Sequence, residues 1–304
     1  AMKGGDIKTG LALCRNRWAL RGCIKLDASC PEWDGTDHVA HMIVIAEQGL
    51  GEQILMASMF ARIQPATIAV DERLITLMQR SFPQHQFVKL DDLWQHERQE
   101  SRHIYTYDLA ALMLGDGNPT AWLTADEGKT AQYKHALDQT FGDNAKIGLS
   151  WRSYNGNWGN IKSIPCEDFL PLVKNKNITT ISLQYGMNPD DAAYWKSQGR
   201  CVMSLHGLDV TNDLDSLASL IMALDVVVTC SNTTAHLAGA LGKQTILLVP
   251  GAFSLWYWGT KDTTPWYPSV QILRGPPRVS WRSLTSKARD IVLSVRRKSG
   301  SNAA

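Results

Sequence analysis

No run in the 304-residue chain approaches the length of a membrane span, and no apolar signal segment opens it. The expectation is a cytoplasmic protein with neither span nor leader. Charge of one sign is also lacking: 31 Lys and Arg stand against 29 Asp and Glu, a net +2. That balance calls for neither nucleic acid nor an anionic membrane as a partner. The six cysteines (Cys14, Cys23, Cys30, Cys166, Cys201 and Cys230) form no CxxC pair and no metal-ligand spacing. Scattered along a chain long enough for a large core, they read as reduced cytosolic thiols, and no metal or other cofactor is expected. Tryptophan, by contrast, is plentiful at eleven residues. A ring with a polar tip suits a sugar or partner surface as well as a core.

The most informative stretch is residues 226–242. A β-branched run, Val226-Val227-Val228, ends in Ser231, Asn232, Thr233 and Thr234, and an alanine-rich segment through His236 stops at Gly242. The order reads strand, tight loop, helix, glycine stop. Such a loop offers backbone N–H groups and hydroxyls at a positive helix end, where a phosphate settles; it also reads as an ordinary N-cap by Ser231 or Thr233. The apolar run 244–249 follows and ends at Pro250-Gly251, completing a βαβ unit of about thirty residues. Ligands in such sheets bind beyond the carboxyl ends of the strands, which here means Ser231–His236 and Pro250–Phe253.

The rest of the chain divides into two α/β series. Residues 11–22 read as a short helix, followed by a loop with the turn signal Asp34-Gly35. The strand 41–46 is apolar throughout and leads into Glu47-Gln48-Gly49-Leu50-Gly51-Glu52, whose glycines permit a tight strand-to-helix turn. A strand at 67–70, a helix at 73–81 and a strand at 86–90 continue the series; signals are weaker over 103–123. A second series opens with the strand 145–152 and a polar loop, 153–162, holding the turn signals Asn155-Gly156 and Trp158-Gly159. Strands at 178–184 and 201–205 and a helix at 214–224, capped by Asp213, precede the central stretch. The final helix, 283–297, is basic on one side and is expected to fold back across the domain junction. Two such series predict an α/β protein of two Rossmann-like domains facing across a cleft. The expected division is 1–36 as an N-terminal helix and linker, 37–136 and 137–282 as the domains, and 283–304 as a C-terminal helix and tail.

Several side chains invite a chemical role. Glu52, at the expected first residue of a helix, reads either as a macrodipole partner or as a general base, with Glu47 as its rival. Arg152 and Lys162 read either as a solvated basic loop or as cations reaching a diphosphate at Ser231–His236. Asp213-Leu214-Asp215 has the form of a metal-binding Asp-x-Asp, but capping explains it. His236, in the first helical turn, favours a phosphate or ribose contact.

Glu47-Gln48-Gly49-Leu50-Gly51-Glu52, Gly148-Leu149-Ser150-Trp151-Arg152, Ser182-Leu183-Gln184-Tyr185-Gly186, Asn212-Asp213-Leu214-Asp215, the segment Thr234 to Gly242 and Pro265-Trp266-Tyr267-Pro268 occur in that order. Together they resemble the glycosyltransferase-like domain often fused behind tetratricopeptide repeats in bacteria. That domain is similar to the ADP-heptose:lipopolysaccharide heptosyltransferases of glycosyltransferase family 9. The resemblance covers roughly residues 33–280. It implies a GT-B fold with the acceptor on the first domain, the nucleotide sugar on the second, and inversion without a bound metal. The family's proposed base, an acid in a Gly-Asp turn, falls on Glu52, one methylene longer. Gln48, Gly49 and Gly51 fall beside it on the acceptor side. The family's phosphate loop, Asp-(Ser/Thr)-Gly-x-x-His, falls on Ser231-Asn232-Thr233-Thr234-Ala235-His236, which keeps the His and lacks the Asp and the Gly.

The resulting expectation is an inverting, metal-independent glycosyltransferase that moves a sugar from a nucleoside diphosphate to a glycan or protein acceptor. Glu52 would take the acceptor proton. Arg152, Lys162, Ser231, Asn232, Thr233, Thr234 and His236 would hold the diphosphate, and Gln184 and Tyr185 would line the base or ribose site. A tetratricopeptide-repeat partner or upstream module is expected. The rivals are a non-catalytic GT-B scaffold, motivated by the altered phosphate loop, and a GT-B nucleotide-sugar epimerase.

Overall fold

The computed structural model describes residues 2, 6–19, 25–26, 28–113, 120–154, 156, 159–186, 188–199, 202–251, 254–275 and 281–301. Cys23, Cys201, Phe253, Asn155, Trp158 and the expected helix end at Gly22 lie outside these residues. The chain divides into two units, 1–124 and 125–304, each organised on a parallel sheet.

In the first unit, α1 (Ile7–Cys14) starts at Asp6, whose carboxylate accepts from the Thr9 N–H at 3.1 Å. After a 3-10 turn at Arg17–Ala19 comes β1 (His41–Ile45), then α2 (Leu50–Met56), β2 (Ala66–Val70), α3 (Ile75–Ser81), β3 (Gln86–Lys89), β4 (Ser101–Tyr105) and α4 (Thr106–Met113). The strand order is β3-β2-β1-β4, all parallel. Met42 to Ile45 are buried, as the all-apolar run predicted for a strand covered on both faces. β4 defeats pattern reading because its buried positions include polar groups held by hydrogen bonds. The Ser101 hydroxyl lies 2.7 Å from Nδ1 of His41, and Nδ1 of His103 lies 2.8 Å from the Cys30 carbonyl.

The second unit begins with α5 (Glu127–Phe141), which packs on a later helix of the same unit; the division therefore falls at Thr124, where the sequence reading drew it at 136. There follow β5 (Ala145–Ser150), α6 (Gly159–Lys162), α7 (Leu170–Val173), β6 (Ile178–Ser182), α8 (Pro189–Ser197), α9 (Leu214–Ala223), β7 (Val226–Cys230), α10 (Thr233–Ala240), β8 (Thr245–Pro250), β9 (Val270–Gly275) and α11 (Trp281–Ser301). The order is β6-β5-β7-β8-β9, again parallel throughout. The strand expected at 201–205 reduces, among the described residues, to a single bridge between Ile181 and Met203. Ile147, Leu149, Trp151, Phe169, Trp195, Val228 and Ile246 form the core, and α11 closes one face with Leu284, Ala288 and Val292. That apolar stripe fixes α11 to its own sheet.

Both sheets share one property that positions the sites. The strand order reverses at β1/β4 in the first unit and at β5/β7 in the second. At such a switch point the outgoing loops diverge and leave a crevice beyond the carboxyl ends. Residues 46–52 and 106–108 follow the carboxyl ends of the first pair of strands; residues 151–154 and 231–236 follow those of the second.

Candidate functional site

In the second unit, Asn232 is the organising side chain. It is the N-cap of α10, and its Oδ1 accepts from the Ala235 N–H at 3.3 Å and from the Thr229 hydroxyl at 3.1 Å. Its Nδ2 donates to the Ser150 hydroxyl at 2.7 Å and to the Arg152 carbonyl at 3.1 Å. One buried carboxamide thus caps the helix and ties the end of β7 to the end of β5 across the switch point. The cap was expected at Ser231 or Thr233. Instead the Ser231 hydroxyl accepts from the Trp258 indole N–H at 2.8 Å, while Thr233 opens the helix and is half-buried, and Thr234 is buried.

Gln184 performs the matching task on the other side. Its Oε1 accepts from the backbone N–H groups of Trp151 and Arg152 at 2.9 and 2.7 Å, and its Nε2 donates to the Tyr185 carbonyl at 2.6 Å. The side chain therefore staples β5 to β6, and its amide is spent on backbone. Tyr185 stands edge-on to Tyr154 with ring centroids 5.5 Å apart, and the Tyr154 hydroxyl donates to the Gly186 carbonyl.

The two cations differ. Arg152 forms a bidentate pair with Asp191, Nε to Oδ2 at 2.7 Å and Nη2 to Oδ1 at 2.6 Å. Asp191 also accepts from the Trp151 indole at 2.7 Å, and this company holds its carboxyl below the usual range despite burial. Asp191 escaped sequence reasoning because it lies 39 residues away, on a helix with no motif. Lys162 ends α6 and is buried. Its charge reaches the end of β7 and the start of α10: it opposes the burial that pushes the Cys230 thiol up to about 12, and it joins burial in holding His236 down to about 3. Gly159, at the start of α6, lets the Ser153 carbonyl oxygen pack against that turn, since a Cβ there would sit 2.3 Å from it.

His236 is therefore neutral at physiological pH. Its Nδ1 lies 2.8 Å from the Tyr267 hydroxyl, and its ring is enclosed by Tyr257 and Trp258 at 4.7 and 4.8 Å. The tryptophan excess is partly explained here: Trp258 and Trp266 are fully buried. What results is a helix N-terminus, a buried cation and a rigid aromatic floor, an arrangement that can receive an anion.

In the first unit, Gly49 is the N-cap of α2 and Glu52 its third residue, two places later than expected. Glu52 is half-buried, and its Oε2 lies 3.3 Å from where a Cβ on Gly49 would stand, so the carboxylate folds back over the loop. Gln48 has φ +64°, a left-handed conformation unusual for a residue with a side chain. Gln53 anchors the loop: its Nε2 reaches the Gln48 carbonyl at 3.4 Å and its Oε1 accepts from the Asp71 N–H at 3.0 Å. Gly51 is buried in the helix. Glu47 points away from solvent into an ion pair with Arg17, a residue no spacing rule connects to it.

Asp213 caps α9 by accepting from the Ser216 N–H at 2.9 Å, and Asp215 pairs with Lys129 at 3.1 Å, so the Asp-x-Asp is structural. Among the described residues no three His, Cys, Asp or Glu side chains converge on a metal-sized site. Cys30, Cys166 and Cys230 are buried, free thiols. No helix among the described residues is long and apolar enough to cross a membrane.

No protein-family profile matches the chain. Protein FlbA of Caulobacter vibrioides is 29% identical over 265 residues, covering 79% of this chain; the chain spans 44% of that relative's length. Among solved structures, the ADP-heptose lipopolysaccharide heptosyltransferase II of E. coli aligns over 84% of this chain and 99% of its own, with a TM-score of 0.57 at 14% identity. The glycosyltransferase family 9 protein of Veillonella parvula aligns over 84% and 98%, with a TM-score of 0.61 at 12% identity. The dodecameric iron-containing heptosyltransferase TibC, in complex with ADP-D-beta-D-heptose, aligns over 90% and 79%, with a TM-score of 0.51 at 13% identity. The two parallel-sheet α/β units are thus those of the GT-B fold that these glycosyltransferase structures share.

Proposed function

We propose that the chain is a glycosyltransferase that binds a nucleotide sugar on its second unit and activates an acceptor hydroxyl on its first. The observation that carries this reading is the β5/β7 switch point, where α10 begins after Asn232 and the buried Lys162 acts electrostatically on Cys230 and His236 on either side of that start. Both favour negative charge, and a departing nucleoside diphosphate is where negative charge grows in glycosyl transfer.

In this reading Glu52 accepts the hydroxyl proton of the acceptor, a glycan or protein, as the hydroxyl oxygen attacks the anomeric carbon and the diphosphate leaves with the bonding pair. Lys162, the amides of Thr233 and Thr234 and the helix dipole offset the charge on the leaving group. Thr233 and Thr234 supply hydroxyls at the same edge. Tyr185, beside Tyr154, offers a ring for the base or ribose. Arg152 acts through Asp191 to hold residues 151–153, and Gln184 and Asn232 hold the two strand ends. Ser231 and His236 build the floor with Trp258 and Tyr267. Inversion and independence of a metal follow from the resemblance to family 9 and are part of the proposal. So are a cytoplasmic location and an upstream repeat module.

The test is turnover of a panel of ADP-, UDP-, GDP- and CDP-sugars with the wild type and Glu52→Gln, with and without chelator. Transfer abolished by Glu52→Gln and indifferent to chelator supports the reading. Transfer unchanged by Glu52→Gln removes the assigned base. Release of an isomerised nucleotide sugar without acceptor would point to an epimerase, and no turnover of any donor to a scaffold, a reading favoured by the missing acid and glycine of the phosphate loop.

A further inference from the structure

Arg17 lies ahead of the first sheet, between α1 and β1, yet its guanidinium ends beyond the carboxyl ends of two neighbouring strands. Nη2 donates to Glu47 Oε2 and to Asp108 Oδ2, both at 2.7 Å; Nη1 donates to Asp108 Oδ1 at 3.1 Å and to the Cys14 carbonyl at 2.9 Å. All three charged side chains are 6% exposed. Glu47 follows β1 by two residues and Asp108 follows β4 by three, and these are the strands that flank the switch point. The guanidinium lies over the Trp18 ring at 4.2 Å, with Tyr105 and Tyr107 at 5.8 and 5.7 Å, so aromatic faces close its remaining sides.

Two observations argue that this cluster is more than a buttress. First, it is incompletely satisfied. Glu47 Oε1 and Arg17 Nε, and nearby in sequence Thr106 Oγ1, are buried without hydrogen-bond partners. Buried polar atoms left in that state cost stability and are kept mainly where function requires the geometry. Secondly, Glu47 directly precedes Gln48, the one non-glycine residue with positive φ among the described residues. Left-handed backbone at a residue with a side chain persists only where its surroundings over-determine it. Gln53 fixes that turn from the β2 side and Arg17, through Glu47, from the β4 side.

We propose that Arg17 is a positioning residue: it draws Glu47 and Asp108 together, locks the carboxyl ends of β1 and β4, and so fixes the left-handed turn at Gln48 from which α2 and Glu52 project. The segment ahead of the first sheet is then a working part of the acceptor-side unit. The inference rests on the proposed function for its catalytic consequence but not for its structural one, and the test separates the two.

Arg17→Met alone leaves two buried carboxylates and risks unfolding, so the informative protein is Arg17→Met/Glu47→Gln/Asp108→Asn, which keeps the packing without buried charge. Arg17→Lys keeps the charge and loses the fork. Three readouts are taken on the full chain: amide hydrogen exchange at residues 49–53, binding of ADP, UDP, GDP and CDP, and turnover of the corresponding nucleotide sugars. The expected result for the triple variant is exchange at 49–53 at least tenfold faster, unchanged exchange in β5 and β7, nucleotide affinity within about twofold of wild type, and kcat lower by about a hundredfold with donor KM unmoved. A misplacement of about an ångström has that effect on rate. Arg17→Lys should fall between wild type and the triple variant in both exchange and kcat. Wild-type exchange and kcat in the triple variant would overturn the proposal, as would a parallel loss of nucleotide affinity and of protection in β5 and β7, which would mark Arg17 as a general stabiliser. If the wild type turns over no donor, the functional reading fails while exchange at 49–53 still decides whether Arg17 sets the turn.

Discussion

The Asn232 carboxamide and the Ser150 hydroxyl, 2.7 Å apart, join two strands that diverge in the chain's path, and the same carboxamide caps α10. Asn232→Ala should therefore lower the stability of the second unit by about 2–4 kcal/mol, a lost cap plus at least one orphaned buried polar group. Asn232→Asp keeps the cap acceptor, loses both Nδ2 donations and adds a negative charge where an anion is proposed to bind. Chemical denaturation and nucleoside diphosphate binding should diverge for this variant: a stability loss no greater than that of Asn232→Ala, with the larger loss of affinity.

Gly239 lies on α10 under the Tyr267 ring, where an added Cβ would stand 2.6 Å from ring carbons. Gly239→Ala should push the ring away and break its 2.8 Å hydrogen bond to His236. Overpacking of this kind costs about 1–3 kcal/mol. The expected melting temperature is lower, and the His236 ring resonances shift. An unmoved His236 would show that Tyr267 does not fix the imidazole.

Acid–base behaviour should separate the units. Burial raises Glu47 from 4.5 to about 7 against the lowering effect of Arg17. Between those values the folded first unit holds a proton that the unfolded chain has lost, so this group's contribution falls as pH rises from about 4.5 to about 7 and is flat above. Burial, and secondly Lys162, lower His236 from 6.5 to about 3. Here the unfolded chain binds the extra proton, so the contribution of His236 is present above about 6.5 and is lost as pH falls towards 3. Glu47→Gln should flatten the first slope and His236→Phe the second, each read as urea stability against pH. A Glu47→Gln protein with the wild-type slope would contradict the burial argument.

Gln48 offers a check on the strained turn. With φ +64° it should gain from Gln48→Gly, by up to about 1 kcal/mol offset by added chain entropy, whereas Gln48→Val should lose stability by at least as much. Hydrogen exchange at residues 49–53 distinguishes a turn that persists in Gln48→Val from one that opens.

Much of the frame was legible because apolar runs bounded by turn residues announce buried parallel strands: β1, β2, β5, β7 and β8 fall where residues 41–46, 67–70, 145–152, the β-branched run from Val226 and 244–249 read as strands. The loops at 47–52 and 231–236 were legible for the same reason, since a strand running into small residues and then a helix defines a switch-point loop. β4 was not, because Ser101 and His103 are buried through hydrogen bonds to His41 and to the Cys30 carbonyl and carry no apolar signature. Nor were the electrostatic partnerships. Arg17 with Glu47 and Asp108, 30 and 91 residues away, and Arg152 with Asp191 are set by sheet order, which sequence spacing does not encode. Gln184 read as a ligand contact because a carboxamide at a strand end suits either a ribose or a neighbouring backbone, and only the sheet shows the backbone within reach.

The central claim, that the β5/β7 switch point holds a nucleoside diphosphate, is tested most directly by thermal denaturation of the wild type and Lys162→Met with ADP, UDP, GDP and CDP. A nucleotide at a hundred times its dissociation constant adds roughly 2.7 kcal/mol. One of them should raise the wild-type melting temperature and leave Lys162→Met unmoved, while the His236 pKa rises in the variant. A shift of equal size in both proteins, or none with any nucleotide, would contradict the account.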